Sequence, residues 1–81
     1  QANYSLTIRA VIPAKIGMLG RVLAAIGEAG GDVGGVDIVR SAKGAVTRDI
    51  TVYARDEAHG DGIRAALEAI DGVSVERMSD R

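Results

Sequence analysis

From Tyr4 to Ile12 apolar and polar residues alternate. Tyr4, Leu6, Ile8, Ala10 and Ile12 share one face; Ser5, Thr7, Arg9 and Val11 share the other. That is the period of a half-buried strand, and Pro13, with no N–H for a ladder, ends it. The period then changes. Met18, Leu19, Val22, Leu23 and Ile26 recur at helical spacing as one apolar stripe. Gly30-Gly31 supplies the stop. A second strand is predicted over Val33 to Arg40, weakened by Gly34 and Gly35. A turn follows over Ser41 to Ala45, where Gly44 suits positive φ, and then a third strand over Val46 to Ala54. The third strand places Val46, Arg48, Ile50, Val52 and Ala54 on one face, and Thr47, Asp49, Thr51 and Tyr53 on the other. Strands two and three read as a hairpin. Asp56 suits the N-cap of a second helix, with Glu57 in its first turn. Ile63, Ala66, Leu67 and Ile70 form its stripe, and Asp71-Gly72 closes it. Val73 to Met78 alternates as a last strand.

The order β-α-β-β-α-β, with right-handed crossovers, predicts one α+β domain over residues 4–78. Its expected form is ferredoxin-like: a four-stranded antiparallel sheet with two helices on one face. Strands one and three take the centre, and strands two and four become edges. Arg9 and Asp49 then share the outer face as a cross-strand pair, and Arg48 points toward the helices.

Composition narrows the partners. Phe, Trp and Cys are absent and only two Tyr occur. A core of Val, Ile, Leu and Ala gains little burial per residue, so oligomerisation is an expected support. Lys plus Arg total 10 and Asp plus Glu 11, a formal charge of -1. That balance gives no footprint for phosphate backbones. An RNA-reading sheet of the same strand order needs exposed rings, and Tyr53 alone supplies one, so no nucleic acid is expected. Lack of Cys excludes disulfides and thiolate metal sites and fits a cytoplasmic protein. No apolar run approaches the roughly 20 residues of a membrane span, and no signal pattern opens the chain; no membrane partner is expected.

Catalytic chemistry is thin. His59, the one histidine, stands in a polar stretch beside Gly60 and reads as a surface residue with no relay partner. No serine stands in a nucleophile-elbow context. The acidic residues lack the spacing of a metal loop. The glycines of "EAGGDVGGVDIV", residues 28 to 39, follow a helix and open a strand, the reverse of a dinucleotide fingerprint. Neither enzyme activity nor a cofactor or metal is expected of this chain by itself.

The stretch "PAKIGMLGRV", residues 13 to 22, carries the strongest candidate. Gly17 opens a helix whose first N–H groups have no partner inside the helix. A glycine has no side chain to cover them, and the helix dipole adds about half a positive charge there. With Lys15 nearby, this suits a carboxylate or other small anion. The alternative is that Gly17 only makes a tight strand-to-helix turn.

The strand, "PAKIGML", the helix, the Gly-Gly and the hairpin together resemble an ACT domain over roughly residues 4–78. That family's strand-to-helix loop is of the type Asp/Asn-x-Pro-Gly-x-Leu. Gly17 and Leu19 match it. Ile16 stands at the usual Pro and Ala14 at the usual Asp or Asn. "GMLGRV", "IGEAGGDVGGVDIV" and "TRDITVYARDE" are similar to the ACT-like segment at the N-terminus of bacterial NAD-dependent malic enzymes. The resemblance implies a regulatory domain that binds a small effector, an amino acid or carboxylate metabolite, and modulates a fused enzyme domain. It also implies a homodimer joined through the first helix and second strand in a continuous eight-stranded sheet. Carried over by position, the ligand-binding residues are Ala14, Lys15, Ile16, Gly17, Met18, Leu19 and Asp32. The implied dimer interface is Gly34, Gly35, Val36 and Ile38. Apart from the resemblance, this apolar edge carries little charge until Arg40, an edge that monomers usually blunt. The competing readings are glycines that only shape a bulge, and a dimerisation module that binds no effector.

Overall fold

The computed structural model describes residues 4–80. The six elements follow in order: β1 (Tyr4–Pro13), α1 (Met18–Glu28), β2 (Asp32–Ala42), β3 (Ala45–Ala54), α2 (Glu57–Glu68) and β4 (Ser74–Asp80). All strand pairs are antiparallel and the sheet order is β2-β3-β1-β4. The central pair is β1 with β3, as two crossover units require.

Alternation places the core. Leu6, Ile8, Ala10 and Ile12 of β1 and Ile50, Val52 and Ala54 of β3 are buried on one sheet face. Val22 and Ile26 of α1 and Ile63 and Leu67 of α2 close over them. Arg48 pairs with Ala10 in the register and lies on this inner face, half-buried, as the parity of β3 requires.

The hairpin between β2 and β3 closes with Ala42 opposite Ala45. Lys43 (φ 54) and Gly44 (φ 78) both take left-handed backbone, as a two-residue turn matched to strand twist demands. β1 extends one residue past its expected end, because Pro13 pairs with Ala45 at the last rung.

The outer face is mainly polar and carries two cross-strand ion pairs. Arg9 donates from Nε to Asp49 Oδ1 at 2.8 Å and from Nη2 to Oδ2 at 2.9 Å. Arg40 of β2 reaches Glu76 of β4, crossing the row formed by Thr47 and Val11. Beneath that bridge Thr47 is 5% exposed.

Candidate functional site

The corner between β1 and α1 is built almost wholly from backbone. The Ala14 N–H donates to the Gly44 carbonyl at 2.9 Å, pinning the loop to the hairpin turn. The Lys15 N–H donates to the Pro13 carbonyl at 2.8 Å, and the Met18 N–H to the Lys15 carbonyl at 3.2 Å. Gly17 is the N-cap, with φ 88 and ψ -11, and gives no side-chain cap. An L-residue pays a steric cost in that left-handed region and glycine does not. The Arg21 N–H closes the first turn on the Gly17 carbonyl at 3.0 Å. The N–H groups of Leu19 and Gly20 have no backbone acceptor among the described residues.

The two helices differ in how their N-termini are satisfied. In α2 the Asp56 carboxylate accepts from the His59 N–H at 2.8 Å, and Glu57 adds negative charge to the first turn. In α1 no side chain caps and no acid stands in the first turn. The positive end of the α1 dipole is therefore uncompensated by its own sequence. Lys15 is exposed beside it and joins no ion pair among the described residues.

Ala14, Lys15, Ile16 and Gly17 are exposed, and Ile16 projects entirely into solvent. Met18 and Leu19 turn inward and pack against the core. These six form one cluster. Asp32 does not join them within a chain. It opens β2 opposite Tyr53, which faces Ser5, whereas the corner follows Pro13. Eight strand residues separate the two ends, about 26 Å.

The expected interface residues lie along the outer strand β2. The register with β3 skips from Val33 to Gly35 and again from Ile38 to Arg40, so Gly34 and Val39 are bulged. A Cβ at Gly34 would lie 2.4 Å from Tyr53 Cε2. The phenol ring of this chain already covers that glycine, so close approach of another backbone is left to Gly35. Val36 packs against the core and Ile38 is 63% exposed.

His59 corrects the sequence reading. It is 9% exposed, in the first turn of α2. Nδ1 accepts from the Arg55 N–H at 3.0 Å and Nε2 lies 2.7 Å from the Ala29 carbonyl oxygen. The overlooked signal was the spacing from Asp56, which makes His59 the third helical residue and turns its ring back toward the α1 terminus. Gly60 behind it permits close packing, since a Cβ there would stand 2.8 Å from Leu6 Cδ1.

Among the described residues no group of three or more His, Cys, Asp or Glu is placed to hold a metal ion, and no helix is long and apolar enough to cross a membrane. The corner brings together two free amides, the positive end of a helix dipole and a lysine, the kinds of group that recognise small anions.

A model of the ACT domain family matches residues 1–77. The chain is 42% identical over 80 residues to an NAD-dependent malic enzyme of Geobacillus stearothermophilus, covering 99% of this chain and 17% of that protein. It is 36% identical over 75 residues to NAD-dependent malic enzyme 1 of Bacillus subtilis (strain 168), covering 91% of this chain and 17% of that protein. The chain thus spans only a small part of the length of these relatives. Among solved structures, the ACT domain from GTP pyrophosphokinase of Chlorobium tepidum superposes with a TM-score of 0.70 at 14% identity, over 96% of this chain and 97% of that one. At that identity the likeness concerns the fold.

Proposed function

The chain belongs to the ACT domain family, and from that premise we propose that it binds a small carboxylate-bearing metabolite at the Gly17 corner and regulates an attached malic enzyme. The observation that carries this reading is the contrast between the helix starts: α2 has its own acids, and α1 leaves the Leu19 and Gly20 amides free beside Lys15. The malate, NAD and metal sites of such an enzyme lie outside this domain.

The site is completed by a second copy. Two copies joined along β2, with their helices on the same face, are related by a two-fold axis, which makes the paired strands antiparallel. The start of one β2, at Asp32, then lies toward the end of the other, the end that leads into the turn holding Ala14. The partner's Asp32 supplies the acceptor for an ammonium group that Ala14 does not. Coupling to the attached enzyme requires the effector to prefer one arrangement of the pair.

Calorimetry and thermal shift against amino acids and small dicarboxylates test this. At least one should raise the melting temperature, with the effect reduced in Lys15→Ala and lost in Gly17→Val. No heat and no shift from any of them, with the dimer intact, would favour the second reading, a dimerisation module without effector. Ala14, bare where the family carries Asp or Asn, is the observation on that side.

A further inference from the structure

We infer that two copies of this chain pair about an axis passing through Val36, with Asp37 facing the partner's Gly35. This rests on the edge-to-edge pairing proposed above and goes further by fixing its register.

The bulges at Gly34 and Val39 leave Gly35 to Ile38 as the longest regular run of the edge. Within it the side chains alternate. Val36 lies opposite buried Ile50 on the helix side, and Asp37 lies opposite Asp49 on the outer side. In an antiparallel pair, opposed residues point to the same face. With helices on one side in both copies, an inner residue can oppose only an inner residue. The two-fold axis therefore passes through a residue and not between two. Within that run only two positions give three regular pairs, Val36 and Asp37.

Charge separates them. An axis at Asp37 sets it directly against the partner's Asp37. Because Asp37 already faces Asp49, that register lines up four carboxylates across four strands, and like charges directly opposed are unfavourable. An axis at Val36 sets Asp37 against the partner's Gly35. There is room, since a Cβ at Gly35 would find only Thr51 Oγ1, at 4.0 Å. On the inner face Val36 meets the partner's Val36. Ile38, 63% exposed in one chain, lies diagonal to the partner's Val36, within reach of a long side chain. The register keeps the apolar row continuous and separates the acids.

The chain has no cysteine, so single-cysteine variants report register directly. Opposed Cα atoms about 4.5–5.5 Å apart fall inside disulfide range, whereas positions one residue off the axis lie beyond about 7 Å and do not bridge. In the 81-residue chain under mild oxidation, Val36→Cys should give a covalent dimer at least tenfold faster than Asp37→Cys. As a variant that leaves the core untouched, Gly35→Lys should strengthen association several-fold at low salt by meeting the partner's Asp37, and lose the gain at high salt. Faster cross-linking at Asp37→Cys, or no gain from Gly35→Lys, in a chain that sedimentation shows to be dimeric, would overturn the register alone. A chain that sediments as a monomer at high concentration would overturn the pairing itself.

Discussion

His59 Nε2 lies 2.7 Å from the carbonyl oxygen of Ala29, thirty residues earlier, and joins the end of α1 to the start of α2. Its Nδ1 accepts from the Arg55 N–H, so the proton sits on Nε2 and the ring donates to Ala29. Nitrogen NMR of the imidazole should report that tautomer. His59→Ala leaves a peptide N–H and a carbonyl without partners and should cost about 1–3 kcal/mol in denaturant unfolding. An unchanged midpoint would mean that water replaces the ring at both contacts.

Gly17 and Gly20 should respond in opposite directions to the same substitution. Neither would meet an atom within 4 Å through a new Cβ, so packing is equal and backbone decides. At φ 88, Gly17→Ala should destabilise by about 1–2 kcal/mol. Gly20, inside α1, should gain about 0.4–1 kcal/mol as alanine through the unfolded state. Melting temperatures of the two variants check the pair.

Asp49 should govern part of the acid sensitivity. Hydrogen bonds from Arg9 hold its carboxyl below the ordinary range; attraction to Arg9 and Arg77 adds to this, and partial burial opposes it. A carboxyl lowered in the fold contributes stability that is complete above its unfolded value, about 3.9. That contribution disappears as pH falls through the lower folded value. Asp49→Asn should therefore flatten melting temperature against pH in the acid range. An unaltered slope would assign the acid loss to other groups.

Gly31 tests how tightly the α1–β2 turn sits on the core. A Cβ there would approach Ile26 Cγ2 at 2.8 Å, Ile63 Cδ1 at 2.9 Å and Val52 Cγ1 at 3.0 Å. All three neighbours are fully buried. Gly31→Ala should cost about 1–3 kcal/mol, and Ile63→Val in the same chain should recover part of it. Full additivity of the two would show that they do not share the space.

Most elements were legible because each obeys one period; β2, bulged at Gly34 and Val39, does not. Strand alternation in β1 and β3 and the Val22–Ile26 stripe determine which faces meet, and the Arg9–Asp49 pair follows from parity alone. The capping role of Asp56 was equally readable from its place before a helical stripe. What local pattern did not carry was distance across the fold. His59 looks solvent-bound among Asp and Gly until α1 is known to end beside it. The Arg40–Glu76 bridge joins two outer strands that sequence order keeps apart, and only the finished sheet order makes Thr47 a covered residue. At the candidate site, the six loop residues were contiguous and hence visible. The separation of Asp32 from them depends on where β2 starts relative to the end of β1.

Tyr4 donates to the Asp80 carboxylate, and Leu6 stands opposite Asp80 in the sheet. A longer polypeptide bearing this fold would enter and leave at one corner, as a pendant on a single hinge. The Gly17 loop sits at the far end of β1, so a molecule captured there does not touch either tether. Its influence would have to travel down the length of a stiff sheet, or through the alignment of two pendants whose hinges it draws into a set spacing.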